Sequence, residues 1–364
     1  MSGVEIRDYQ NGDEYNIILF LKQVFNNWPR PLEDISDIDF WKWKYLDTPT
    51  RTKLITVAEC DNEIVGCHHS AFFSMKLYDE VKLGFIGADI AVHPKHRGKG
   101  IWKKMFQKTN EKIKQLDLGF TYGITTNPIV KNGWIKMGET FFPHKISLLY
   151  WIKDISKHHK KSKMNLYKKG YLGLKVLNSR SIRGKKMRNQ LDNDFDVSEI
   201  SSFGKEYESF WSRTREENIF TIEKNQEYVN WRYCDERGGK YIVISANQEK
   251  EFLGFIVLKT IQSDSGYTRG YVVDVQALPG RADVVGALVQ NGIDYFDETD
   301  VNFVQVLIIR GHPFEKTYLN NGFVRVNNNY AILYQERQNE PYYKEFYKAP
   351  KEKIHFHFGD TDYI

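Results

Sequence analysis

Ala91-Val92-His93-Pro94-Lys95-His96-Arg97-Gly98-Lys99-Gly100-Ile101-Trp102 is the stretch on which the fold of this chain turns. It reads as a strand ending at Val92, a turn carrying two glycines, and a helix beginning near Ile101. At such a junction the first backbone N–H groups of the helix have no partner, and the helix dipole adds about half a positive charge. Glycines let an anion come close to the backbone. The turn is therefore a phosphate cradle. It lacks the G-K-[ST] ending of a P-loop and the spacing of the dinucleotide fingerprint, which sets nucleoside triphosphates and nicotinamide dinucleotides aside.

Outward from this turn the chain repeats itself. Phe40-Trp41-Lys42-Trp43-Lys44-Tyr45, the apolar run Leu54 to Ala58, and Ile64-Val65-Gly66 have counterparts in Tyr228-Val229-Asn230-Trp231-Arg232-Tyr233, Tyr241 to Ser245, and Phe252-Leu253-Gly254. Trp43 to Trp231 and Gly66 to Gly254 share an offset of 188, and Asp89 and Pro94 match Asp274 and Pro279 at 185. Two separate features at one offset indicate a duplication, not a solenoid of short repeats. The first unit is expected at 1–150, a connector at 151–192, the second unit at 193–340 and a tail at 341–364.

In the first unit Glu5-Ile6-Arg7 opens a strand and Tyr15 to Trp28 is periodic as a helix. Residues 54–59, 64–77 and 83–92 read as strands, and Met105, Phe106, Ile113 and Leu116 keep helical spacing. Phe120 to Thr125 and Lys145 to Ile152 read as further strands of the same unit. The fold class is α/β (α+β): a mixed central sheet flanked by helices, twice over.

The 364 residues are 41% apolar and 27% charged, a globular composition with no run long enough to cross a bilayer and a start too polar for a signal peptide. Cys60, Cys67 and Cys234 make neither an even disulfide framework nor a C-x-x-C pair, so a cytoplasmic protein is expected. Net charge is +5, but Trp151 to Gln190 alone holds 13 Lys/Arg against Asp154, a surface for an anionic partner or a solvated linker.

The run V-x-P-x-x-R-G-x-G-I resembles the pyrophosphate loop of the GCN5-related N-acetyltransferases (GNAT). That resemblance implies acetyl-coenzyme A as cosubstrate, its pyrophosphate on Arg97, Gly98, Lys99, Gly100, Ile101 and Trp102, and its pantetheine arm along Ile90, Ala91 and Val92. It also implies Asn127 as a pantetheine contact. Where the family often has a tyrosine as general acid, this chain has Trp134, and indole is a donor of negligible acidity. The second unit keeps Tyr318 before Gly322-Phe323, but Ala282, Asp283 and Val285 replace the cradle, and Asp283 would repel a pyrophosphate. The whole resembles a tandem GNAT protein with one intact and one degenerate loop.

Acyl transfer to a primary amine needs a proton acceptor near the thioester, and Asp89 and His69 are the candidates. Burial beside the cofactor is expected to raise the Asp89 pKa; alternation puts His68 and His69 on opposite strand faces. In the tail, His355 and His357 share a strand face near Asp360 and Asp362, but a metal needs three converging ligands, so none is expected. The acceptor expected is a small-molecule or glycan amine, such as an amino sugar of a surface glycan precursor. A Fem-like aminoacyltransferase using aminoacyl-tRNA and a non-catalytic coenzyme A scaffold are the alternatives, although nucleic acid is not an expected partner.

Overall fold

The alternating and apolar runs of the first half become β1 (Glu5–Asp8), β2 (Leu54–Cys60), β3 (Glu63–Leu77), β4 (Glu80–Val92), β5 (Leu118–Thr125) and β6 (Thr140–Phe141) in a computed structural model of the chain. The described residues are 3–25, 28–29, 35–116, 118–154, 169–170, 173–174, 176–177, 194–262, 267–328, 330–336 and 346–362. They fall into two units, Met1–Phe141 with Cys234–Lys240 and Ala331–Tyr343, and Phe142–Tyr233 with Tyr241–Tyr330 and Lys344–Ile364.

In the first unit the helices are α1 (Glu14–Val24), α2 (Asp37–Tyr45), α3 (Ile101–Ile113) and α4 (Pro128–Lys136). Helical spacing buries Ile17, Ile18 and Leu21 of α1 and leaves Tyr15 and Leu19 exposed. Ser36 starts α2 by accepting the Asp39 N–H at 3.1 Å, and the i, i+4 pair Trp41 and Tyr45 then faces the sheet. These side chains close one face with Ile55, Val57 and Cys67. The other face is covered by α3, whose Ile101 and Met105 pack on Ala58 and Val65.

The second unit has β7 (Ile146–Ile152), β8 (Asp196–Ile200), β9 (Phe220–Ile222), β10 (Ile242–Gln248), β11 (Glu251–Gln262), β12 (Thr268–Ala277), β13 (Phe303–Ile309) and β14 (Val324–Val326). Its helices are α5 (Glu206–Glu217), α6 (Gln226–Tyr233), α7 (Ala282–Glu298) and α8 (Pro313–Asn320). The duplication is visible in the glycines that start it. A Cβ on Gly66 would meet Met105 of α3 at 3.2 Å, and one on Gly254 would meet Val284 of α7 at 3.0 Å, so both permit a helix to lie close on the sheet.

One expectation about the strands needs correction. The run at 145–152, read as part of the first unit, pairs as β7 with β13 and β14 in the second sheet, ordered β14-β7-β13-β12-β11-β10-β8. Its counterpart β15 (Ala331–Glu336) pairs instead with β5 and β6, which gives the first sheet the order β1-β2-β3-β4-β5-β15-β6. Apolar content makes a segment a strand, but hydrogen bonds to residues more than a hundred positions away decide its sheet.

The basic connector lies almost wholly outside the described residues, its anionic-partner surface included. Val176 is buried against Ile152, Phe303 and Val324, while Leu174 and Leu177 are exposed. Cys60, Cys67 and Cys234 are not joined in a disulfide. Among the described residues no helix is long and apolar enough to cross a membrane.

Candidate active site

The first sheet opens where the decisive turn begins. β4 and β5 run parallel through Leu83↔Leu118 and end their pairing at Ile86↔Tyr122, so residues 87–92 and 123–125 carry on as separate strands. The backbone groups facing that gap are available to an extended ligand arm. Opposite β3 the register slips between Cys67 and His69, a bulge that places Asp89 at φ 44°. Ile90, Ala91 and Val92 follow it and lead into the turn.

That turn is a short 3₁₀ segment, Pro94–His96, followed by Gly98 at φ 78° and Gly100 at φ 73°. Both angles favour glycine, and a Cβ built on either would meet nothing within 4 Å, so the space above the turn is open. Helix α3 makes its first backward hydrogen bond from Lys104 N–H to Gly100 O at 3.1 Å. The amides of Ile101, Trp102 and Lys103 precede that bond and are of the kind that can receive an anion at a helix N-terminus. Arg97 is exposed and its Nε donates to Val92 O at 3.1 Å, tying the strand end to the turn. Lys99 is exposed beside it. These residues fit a pyrophosphate.

Trp102 lies stacked on Phe106 with ring centroids 6.0 Å apart, and a Cβ on Gly133 of α4 would sit 3.3 Å from its ring. Trp134 covers Gly123 of β5 so closely that a Cβ there would come within 2.6 Å. The glycines at 123 and 133 are thus the seats of two indoles, a relation the sequence reading missed although both pairs were in view. Asn127 caps α4, its Oδ1 accepting the Ile129 N–H at 2.9 Å, and its side chain is exposed at the open end of β5.

The two residues expected as proton acceptors are engaged by other side chains of the first unit, Asp89 part-buried and His69 fully buried. Asp89 Oδ2 accepts from Tyr45 Oη at 2.5 Å, Trp28 Nε1 at 2.9 Å and Lys44 Nζ at 3.2 Å. Burial pushes this carboxyl up, but Lys44, His69 and the two hydrogen-bond donors outweigh it and hold its pKa at about 2. The expected upward shift is therefore corrected: the partners are a cation and donors that favour the charged form. His69 is fully buried, its Nε2 accepts from Trp41 Nε1 at 3.0 Å, and its ring stacks on Tyr45 at 4.3 Å. Burial brings its pKa down to about 4, so it is a neutral acceptor within the core and not a base at the gap. His68 does face the other way, with Nδ1 3.3 Å from Thr109 Oγ1 and its pKa brought down by burial to about 3.

The second unit shows the same frame with its opening used otherwise. Parallel pairing of β12 and β13 ends at Val272↔Val306, but the space is taken by the chain's own tail. Phe358 packs edge-on to Tyr271, and a Cβ on Gly359 would lie 3.3 Å from Val273 O. Asp360 reaches Lys224 at 2.8 Å. The cradle is closed as well: Asp283 is bound by Arg281 at 2.8 Å, which holds its carboxyl below the usual range. Tyr318 is fully buried, and its hydroxyl has no hydrogen-bond partner among the described residues.

Comparison with known proteins agrees with this geometry. Residues 5–133 match the family model of the acetyltransferase (GNAT) domain. The first unit is thus a GNAT domain, and the chain has the fold of a tandem GNAT protein. A solved tandem GNAT protein from the clavulanic acid biosynthesis pathway superimposes with TM-score 0.57 at 12% identity, over 93% of this chain and 100% of that one. A GCN5-related N-acetyltransferase from Anabaena variabilis gives 0.60 at 10% identity, over 92% of this chain and 73% of the other. A conserved protein of Enterococcus faecalis described as a probable N-acyltransferase gives 0.62 at 8%, over 92% and 72%. No curated protein sequence matches the chain. At such identities the superpositions establish the fold alone, and the chemistry of the chain rests on its own residues.

Proposed function

We propose that the first unit transfers the acetyl group of acetyl-coenzyme A to a primary amine. The observation that carries this reading is the open double-glycine turn, Gly98 and Gly100, placed between the end of β4, where pairing with β5 has stopped, and the N-terminus of α3. Acetyl-coenzyme A would supply an activated thioester. The backbone N–H groups of the turn, with Arg97 and Lys99, would hold its pyrophosphate, and β4 from Ile90 to Val92 would hold the extended arm by backbone hydrogen bonds.

Asp89 acts in this reading as a positioning residue. Its side chain and the Cys67 and His69 contacts to its carbonyl, at 3.3 Å and 3.4 Å, fix the bulge that turns the following strand away from β5. With Asp89 held by Tyr45, Trp28 and Lys44, His69 in the core and Trp134 in place of an acidic side chain, the amine loses its proton, and the thiolate gains one, through water. We place the reaction in the cytoplasm, in keeping with three cysteines that form no disulfide.

The acceptor class we favour first is an amino sugar, to be screened with acetyl-coenzyme A beside polyamines, amino acids and peptides. Acetylation of any amine that ceases in Gly100→Asp supports the assignment. Tight coenzyme A binding with no transfer to any acceptor would favour a binding role, to which the seat of Trp134 on Gly123 also points.

A further inference from the structure

Three side chains of metal-ligating type meet in the core of the second unit. Asp274 of β12 and the tail residues His355 and His357 each present one donor atom, all within 4.8 Å of one another, and the residues are 0%, 5% and 1% exposed. We propose that Asp274, His355 and His357 form a binding site for a divalent metal of the zinc class, which fastens the C-terminal segment to the second sheet. The pairing of His355 and His357 was legible in the sequence; the third ligand was not, because it lies 81 positions upstream of His355.

The two oxygens of Asp274 differ in occupancy. Oδ2 accepts from Lys224 Nζ at 2.5 Å and Tyr233 Oη at 2.7 Å, whereas Oδ1 meets His355 Nε2 at 2.8 Å. Oδ1 thus keeps a lone pair, and a metal there would take the place of the Nε2 proton of a neutral His355, which the ring carries instead on Nδ1. A second, independent observation is His357: its Nδ1 is buried and without a hydrogen-bond partner among the described residues. A buried ring nitrogen left so is unfavourable, and a metal ion satisfies it.

Two imidazole nitrogens and one carboxylate oxygen are a donor set for zinc and its neighbours, not for calcium or magnesium. Alternation puts both rings on one strand side, with centroids 4.6 Å apart. Charge also favours a cation. Asp274 and Asp360 both pair with the single ammonium of Lys224, so with neutral imidazoles these five residues sum to one negative charge in a dry core. Lys224 stays on the other carboxylate oxygen and on Asp360. Among the described residues the first unit shows no such group of three ligands.

The full chain, stripped by chelator, is titrated with cobalt(II) alone and then with zinc. We expect one equivalent of cobalt to give the visible absorption of a low-symmetry site, zinc to displace it, and zinc to raise the thermal midpoint. His357→Gln should weaken binding by about 100-fold or more. The double variant His93→Gln/His96→Gln, which removes another close histidine pair, should bind as the wild type does. X-ray absorption at the zinc edge of the wild-type chain should count two imidazoles, a result independent of whether any variant folds. No cobalt absorption, no zinc-dependent midpoint, an oxygen-only zinc shell, or binding lost with His93 and His96 but kept without His357 would each overturn the proposal.

Discussion

The hydroxyl of Tyr45 donates to the Asp89 carboxylate at 2.5 Å, across 44 positions of sequence. Tyr233 and Asp274 repeat the bond at 2.7 Å in the second unit, where the opening between the strands is filled by the chain's own tail. A contact kept in a unit with a closed cradle belongs to the frame, since chemistry at the turn cannot be what retains it there.

For Asp89 this has a direct consequence. Asp89→Asn keeps the shape but loses the charge that faces Lys44, so unfolding in urea should show a loss of about 2 kcal/mol. Turnover per folded molecule should fall by no more than a few fold, and the pH profile should keep its shape. A drop of about 100-fold with a changed acidic limb would instead mark a general base.

Acid should unfold the first unit through its histidines. His68 and His69 have pKa values brought by burial to about 3 and about 4, below the ordinary 6.5. The unfolded chain therefore takes up protons that the native one refuses. Stability is full above pH 6.5 and falls as the pH drops toward 4, by up to about 1.4 kcal/mol per pH unit for each histidine. Urea midpoints between pH 7 and pH 4 measure this, and His68→Phe should flatten the decline.

Tyr241 should ionise early. Its hydroxyl accepts from Arg232 Nη1 at 2.6 Å and Lys259 Nζ at 3.1 Å, and although burial opposes ionisation these two cations bring its pKa down to about 8. Because the unfolded value is near 10, the resulting stabilisation is complete above that pH and vanishes as the pH falls through 8. Ultraviolet difference spectra should show one phenolate forming near pH 8 that is absent from Tyr241→Phe.

Gly359→Ala should release the tail. A Cβ there would come within 2.3 Å of Tyr233 Oη, whose position is set by Asp274. The tail backbone must move, and hydrogen exchange at 355–361 should rise well before the rest of the second unit responds.

The turn at 93–101 was legible because glycine, proline and the change from strand to helical spacing are local properties, and the structure has each of these elements where its pattern put it. The repeat was legible through Trp43, Gly66 and their copies, whose side chains, or lack of them, are set by close packing. The site was legible only in part. Asp89 carries no mark that its partners are Trp28, Lys44 and Tyr45, and a carboxylate's role follows its partners. The exchange of β7 and β15 between sheets was hidden for the same reason, as was the approach of Asp274 to His355.

The measurement that bears most directly on the account is the calorimetric stoichiometry of acetyl-coenzyme A on the full chain. The account predicts one molecule per chain, none for Gly100→Asp, where a carboxylate would enter the open space above the turn, and still one for Asp283→Ala. Two molecules per chain, or one that survives Gly100→Asp, would contradict it.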